Sequence, residues 1–321
     1  MERSDLCFKG IIYRPGTRGF YIMIKSSADL KKYFERTDND LNILVSSKLK
    51  YKRWQIPKKS GGSRNLISPP KPLKIFQSEI EKFLSPYVDT IIARGGIKKQ
   101  NRVKAAEYIR KSNLIIKLDI KDCYPSIKKS KIIQKLQSLS FSHKYAVFFA
   151  ETITLDNCLP QGSPCSLCIA NLVLNELDDS IIQSLPPNTK CFRWVDDIII
   201  GLDKNVTKEE AENLISKIKS LFQSFRYEIK DGMTLTPISR EHANDILGLS
   251  ISRKINVNKK WYREFRSQLD HLRNNPLPTK KELNSVKGKL ATLQQVTKNH
   301  KNKPRVQKIR GIIKEIELTN K

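Results

Sequence analysis

Three carboxylates stand inside otherwise apolar runs of this sequence. Asp119 follows Leu114-Ile115-Ile116-Lys117-Leu118 and precedes Ile120. Asp196 and Asp197 are adjacent, between Phe192-Arg193-Trp194-Val195 and Ile198-Ile199-Ile200. A carboxylate at the end of a buried strand is costly unless it is paired or metal-bound. Two adjacent ones also repel each other. Divalent cations prefer hard oxygen ligands and offset both costs. If the two runs are neighbouring strands, Asp119 and Asp196 can hold two Mg²⁺ ions about 4 Å apart, the arrangement that drives in-line phosphoryl transfer. One ion then activates a hydroxyl nucleophile while the other neutralises the leaving pyrophosphate. Capping or turn aspartates are the bland alternative, and a lone Asp would favour it. Two acidic sites on a strongly basic chain favour the chemistry.

A third segment lies between them: Leu159-Pro160-Gln161-Gly162-Ser163-Pro164-Cys165-Ser166. Pro and Gly at a helix mouth leave backbone N–H groups free to meet an anion or a nucleotide. Alone this is a loop before a helix, and its position between the acidic runs makes it informative. Upstream, Ser60-Gly61-Gly62-Ser63 is a hairpin turn signal whose tip carries Lys58, Lys59 and Arg64. Cys165 and Cys168 form a CxxC without a second pair at short range, so they read as small residues packed along a buried helix rather than zinc ligands. The histidines at 143, 242, 271 and 300 sit near no paired acid or thiol and read as surface or packing residues.

These residues need a sheet to hold them. Residues 113–120 and 190–202 read as buried strands, with helical patterns at 130–155, 164–184 and 207–225 and strand-like pieces near 226–230 and 245–255. That order implies a sheet with helices packed on one face, an α+β arrangement. A helix over 27–49 with Ser26 or Ser27 as cap, the hairpin over 50–67, a helix over 73–84 and a basic stretch from 94 to 111 precede it. After Pro276, the apolar sets Leu283-Val286-Leu290-Leu293 and Val306-Ile309-Ile313-Ile316 predict a small helical bundle. From Lys280 onward there are twelve Lys or Arg against three Glu, which favours a surface facing nucleic acid.

Composition agrees. The 321 residues carry 60 Lys plus Arg against 32 Asp plus Glu, a net charge of +28, with 39% apolar residues. That apolar content rules out wholesale disorder, and the charge calls for a polyanionic partner, most simply a phosphate backbone. No apolar run reaches the roughly 20 residues that span a bilayer. The charged N-terminus reads as no signal peptide, so the cytoplasm is the expected compartment.

The ordered set GGxR, LDIKDxYPSI, LPQGxPxS and a hydrophobic-x-DD strand resembles the reverse transcriptases. It is most similar to the bacterial retroelement branch that includes retrons, group II introns and defence-associated enzymes. The resemblance runs from about Tyr51 to Ser252, and it implies a right-hand polymerase fold. Residues 1–112 would be N-terminal helices and fingers, 113–255 a palm with an antiparallel sheet, and 256–321 a basic helical thumb.

By resemblance, Asp119 and Asp196 match the metal-binding aspartates; Ile120 and Asp197, the second acid of the doublet, belong to the same metal site, and all three aspartates are catalytic. Tyr124 matches the aromatic gate beneath the incoming sugar. Gln161 and Gly162 match the motif lining the nucleotide pocket, and Arg64 the fingers residue that reaches the triphosphate. Lys230 corresponds to the Lys associated with protonating pyrophosphate. Trp194 stands where the family has tyrosine, and Leu247-Gly248 matches the primer-grip turn. Lys287, Lys289, Lys298, Arg305 and Lys308 would meet primer and template from the thumb. Retrons typically carry Val-Thr-Gly where this chain has Ile246-Leu247-Gly248, and their Asn-Ala-x-x-His is replaced by Lys104-Ala105-Ala106-Glu107-Tyr108. The implied activity is RNA-directed DNA synthesis on a structured non-coding RNA, with Mg²⁺ (or Mn²⁺) as cofactor. The implied partners are that RNA, an RNA–DNA hybrid, dNTPs and an effector protein of a defence operon, with no membrane. A template-independent DNA polymerase and a catalytically silent RNA-binding protein on the same scaffold remain the alternatives.

Overall fold

Helix caps set the N-terminal region. The computed structural model describes residues 7–8, 11–12, 21–22, 24–57, 62–202, 206–230, 234–237, 244–252, 254–275, 278–297 and 303–319. Strands β1 (Cys7–Phe8), β2 (Ile11–Ile12) and β3 (Tyr21–Ile22) form a small antiparallel sheet. The single helix expected over 27–49 is two, α1 (Ser27–Phe34) and α2 (Asp38–Ser46), each opened by a capping box, Ser26 with Asp29 and Thr37 with Asp40. Glu35 between them takes a left-handed φ of 50°, which no continuous helix tolerates.

Strands β4 (Lys52–Pro57) and β5 (Ser63–Ser68) make the expected hairpin, followed by α3 (Lys71–Leu84) and, in the basic stretch, α4 (Arg102–Ile109). The hairpin tip with Lys58 and Lys59 lies outside the described residues. Next come β6 (Leu114–Asp119), α5 (Cys123–Ser126), α6 (Lys129–Ser138), α7 (His143–Ile153) and α8 (Ser166–Ser184). The one helix predicted at 130–155 is thus split, with Ser140 at φ 68° in the break. The single strand predicted at 190–202 is a hairpin, β7 (Lys190–Trp194) and β8 (Asp197–Leu202). A further helix, α9 (Lys208–Ser224), leads to β9 (Thr234–Pro237). Near 226–230 the strand-like piece reduces to one bridge, Ile229 opposite Ile120. Strands β10 (Asn244–Ile246), β11 (Leu249–Ile251) and β12 (Ile255–Val257) form a separate antiparallel sheet before α10 (Lys259–Asn274), α11 (Lys280–Thr297) and α12 (Lys303–Thr319).

The central sheet is antiparallel in the order β7-β8-β6-β9. Strand alternation sends Ile116, Leu118, Ile198 and Ile200 into one core with α3 and the α6–α9 helices. Ile115, Phe192 and Ile199 point the other way, into a second core with α4, the β10–β12 sheet and the C-terminal helices. Both faces are therefore covered, which corrects the expectation of helices on one face. The apolar runs of β6 and β8 have no polar alternation because neither face meets water. Among the described residues no helix is long and apolar enough to cross a membrane.

Candidate active site

Register decides where the acids go. β6 and β8 pair so that Asp119 lies directly opposite Asp197 at the end of the ladder. Asp196 is not in a strand but in the tight turn joining β7 to β8, where Val195 has a φ of 63°. The Ile120 amide donates to the Asp196 carbonyl at 2.9 Å, tying that turn to the end of β6. On the other side, the Lys230 amide donates to the Asp119 carbonyl at 2.9 Å. All three acids are half-buried.

Asp119 and Asp196 line a cleft of about 1160 Å³ together with Ile120, Tyr124, Gln161 and Lys230. Residues of the β4–β5 hairpin, among them Ile56, Leu66 and Ile67, line it as well. Asp197 does not line this cleft; its carboxylate lies 3.7 Å from Lys117 Nζ. Burial raises the Asp119 carboxyl above its ordinary range, and the nearby Asp196 charge adds to it. Asp197 is pushed up to about 6, chiefly by burial, with Lys117 pulling the other way and the two other acids pushing further.

That shift has a consequence for stability. A carboxyl raised in the folded state binds its proton more tightly there than when unfolded, so its contribution falls as pH rises from about 4 to 6. The full penalty is present at neutral pH and absent in acid. Asp197→Asn, which has no charge to bury, should therefore stabilise the metal-free chain at pH 7.5 by about 1–2 kcal/mol after allowance for partial exposure. At pH 4 the two proteins should melt together. A variant less stable than the parent at pH 7.5 in chelator would mean that the Lys117 pair outweighs burial.

The donor set fits a hard divalent cation: oxygen ligands only, like charges crowded together, and raised protonation that a cation would reverse. Among the described residues no three His, Cys, Asp or Glu side chains close into a metal cage. One or two carboxylates with an open remainder is what Mg²⁺ uses when substrate phosphates and water complete its shell.

The Gln161–Gly162 loop is docked on the hairpin. The Ile67 amide donates to the Gln161 carbonyl at 3.1 Å. Gly162 has a φ of 120°, and a Cβ there would lie 2.2 Å from the Ile67 carbonyl oxygen, so only glycine permits the approach. Ser163 Oγ donates to Gln77 Oε1 at 2.7 Å, and Gln77 Nε2 donates in turn to the Thr152 carbonyl and to the Tyr51 hydroxyl. This buried amide, which sequence reasoning missed, couples loop, α7 and hairpin base. Tyr124 sits in α5, half-buried against the first core. Arg64 lies on β5 opposite Ile56, its side chain outside the described residues.

Among the other predicted positions, Trp194, Leu247, Gly248, Lys287, Lys289 and Lys308 do not line the cleft. Trp194 faces Asp197 across the β7–β8 pair and packs on the second core. Leu247 and Gly248, at φ 55° and 75°, turn β10 into β11. Asp245 Oδ1 accepts from the Gly248 amide, and Arg102 Nη1 donates to the Leu247 carbonyl at 3.3 Å. On the C-terminal helices Lys287 is exposed and paired with Glu317, Lys289 stands over the Trp261 ring at 5.9 Å, and Lys308 is exposed. Lys298 lies outside the described residues, as does the Arg305 side chain.

Residues 56–233 match the family model described as reverse transcriptase (RNA-dependent DNA polymerase), more than half of the chain. The chain belongs to the reverse transcriptase family. The match takes in the end of β4, all of β5, both acidic sites, the Gln161–Gly162 loop and Lys230. Among its relatives, the retron Se72 reverse transcriptase of Salmonella heidelberg is 27% identical over 223 residues, covering 68% of this chain and 56% of the relative. The retron Ec73 reverse transcriptase of Escherichia coli is 27% identical over 196 residues, covering 56% and 62%. For the retron Ec86 reverse transcriptase of the same species the figures are 23% over 250 residues, 76% and 77%. The chain thus spans 56% and 62% of the length of the first two. These relatives are retron enzymes, and this chain departs from the usual retron motifs at Ile246-Leu247-Gly248 and at 104–108.

Proposed function

We propose that the chain is an RNA-directed DNA polymerase that copies a structured bacterial RNA in a retron-like or phage-defence system, in the cytoplasm. The observation that carries this reading is Asp119 and Asp196 lining one cleft together with residues of the β4–β5 hairpin, both acids inside the span matched by the family. In it, residues 1–112 serve as N-terminal helices and fingers, 113–255 as palm and 256–321 as thumb. Asp119, Asp196 and the Ile120 carbonyl would hold the metal ions, with Asp197 beside them at the start of β8. Two Mg²⁺ ions, or Mn²⁺ in their place, would supply charge neutralisation at the attacking and leaving oxygens of a nucleotidyl transfer.

The protein's own residues do the rest. In this reading Gln161 and Gly162, held by Ile67, line the dNTP pocket, Arg64 serves its phosphates, and Lys230, whose amide donates to the Asp119 carbonyl, gives a proton to departing pyrophosphate. Trp194 and the Leu247–Gly248 turn support the primer strand. Lys287, Lys289, Lys298, Arg305 and Lys308 attract the RNA–DNA hybrid, an electrostatic term that weakens steeply with salt. An effector protein of the same operon completes the proposed partners.

Primer extension tests this. Purified chain, a defined RNA template with an annealed DNA primer, four dNTPs and Mg²⁺ should give full-length complementary DNA, and chelation should stop it. Extension that ignores the template sequence would contradict the reading.

Tyr124 gives a sharper check. If its ring lies under the incoming sugar, a ribose 2′-hydroxyl has no room, since a filled pocket rejects added volume. Tyr124→Ala should keep dNTP extension and newly accept rNTPs. A residue that merely fills the core would instead lose several kcal/mol of stability through the cavity, about 3–5 by the usual range for large aromatic truncations, and both activities with it.

A further inference from the structure

Arg193 is the largest fully buried side chain described, in the strand that leads into the acidic turn. Its Nε and Nη2 donate to the two oxygens of Asp178 on α8, at 2.8 and 2.7 Å. Nη1 donates to Asn171 Oδ1 at 2.9 Å and to the Val195 carbonyl at 3.0 Å. Asn171 Nδ2 reaches on to the Gly95 carbonyl at 3.0 Å. The segment around Gly95 presses on the same turn, where a Cβ on Gly95 would lie 2.6 Å from the Val195 amide nitrogen.

A buried ion pair contributes little to stability on its own, because desolvation cancels most of the attraction. An apolar pair would serve the core as well. What it could not do is hold the Val195 carbonyl. Val195 has a φ of 63°, a conformation that a β-branched residue rarely keeps unless its surroundings impose it. The turn carries no Gly or Asn to make that conformation cheap.

We propose that Arg193 is a positioning residue: clamped to α8 by Asp178 and Asn171, its guanidinium fixes the Val195 carbonyl and so holds Asp196 beside Asp119. This rests on the reading of Asp119 and Asp196 as metal ligands of a polymerase. The groups that orient metal ligands commonly change metal affinity or turnover by about 10–100-fold when altered.

Arg193→Lys keeps the charge facing Asp178 and loses the fork that reaches Val195. Mn²⁺ binding, followed by electron paramagnetic resonance of the free ion, should weaken about tenfold, with Asp119→Asn marking how much of that binding belongs to the site. Turnover should fall about 10–100-fold while the dNTP KM stays within about twofold. Asp178→Asn keeps the shape of the clamp and should shift both quantities the same way by a smaller factor; it decides the matter if Arg193→Lys melts below the assay temperature. Wild-type Mn²⁺ affinity in a folded Arg193→Lys, or in Asp178→Asn where the first does not fold, overturns the proposal. If instead the parent chain never incorporates dNTPs yet the variants still lose Mn²⁺, the polymerase reading fails and the positioning role stands.

Discussion

Asp119→Asn and Asp196→Asn should each abolish dNTP incorporation while leaving RNA binding at parental strength. Asparagine preserves the shape of the side chain and removes one charge from the shell of a bound cation. The lost charge stabilisation of the transition state is several kcal/mol, or about a thousandfold or more in rate. Neither acid touches the basic C-terminal helices that would attract nucleic acid, so affinity should not follow activity. Replacing Asp119 also removes a carboxylate whose burial is unfavourable, so the variant should melt no lower than its parent. Robust synthesis by either variant would remove these residues from catalysis. A parallel loss of RNA binding would mean that the acids act through folding instead.

Gly162→Ala should be the most damaging single methyl group in the cleft. The added Cβ would sit 2.2 Å from the Ile67 carbonyl oxygen, and the φ of 120° is closed to alanine whatever space is made. Because the obstacle is backbone rather than a side-chain tip, the loop must leave the hairpin and take Gln161 with it. A cost of about 2–4 kcal/mol is expected from strain and overpacking together, with incorporation down about a hundredfold. Gly311→Ala in α12 is the control: nothing lies within 4 Å of its added Cβ, and alanine should raise helix stability by about 0.5–1 kcal/mol without touching activity. Comparing the melting and extension rates of the two variants separates local strain from a general effect of added bulk. A Gly162→Ala protein with parental activity would show that the loop does not need its contact with Ile67.

The same residues explain which features were legible in the sequence. β6, α8 and the C-terminal helices follow directly from apolar runs and 3-4 spacing, because their side chains answer mainly to burial. The Asp119 and Asp196 sites were visible for the opposite reason, as charges where burial forbids them. The hairpin at 194–197 was not visible. Its turn has no glycine, proline or asparagine, and its left-handed Val195 is held by the neighbouring Arg193, whose own anchors Asp178 and Asn171 are distant in sequence, and by the still more distant Gly95 segment. The split of the 27–49 helix hid behind continuous apolar spacing, although the second capping box, Thr37 with Asp40, was there to find. Lys117 and Arg193, charged residues within apolar runs, were signals of the same kind as Asp119. Both turned out to be pairing partners of acids, Asp197 and Asp178. Coverage of both sheet faces was implied by the lack of alternation in β6 and β8, which a sheet with one face in water would have shown.

Whether the cleft reads a template is the central claim, and sequencing the DNA it makes tests that claim most directly. The chain would be purified with the RNA that accompanies it from bacterial cells, supplied with dNTPs and Mg²⁺, and its DNA product sequenced beside the co-purified RNA. DNA complementary to a stretch of that RNA, absent from Asp196→Asn preparations, is the predicted result. Random or homopolymeric DNA bearing no relation to the RNA would contradict it.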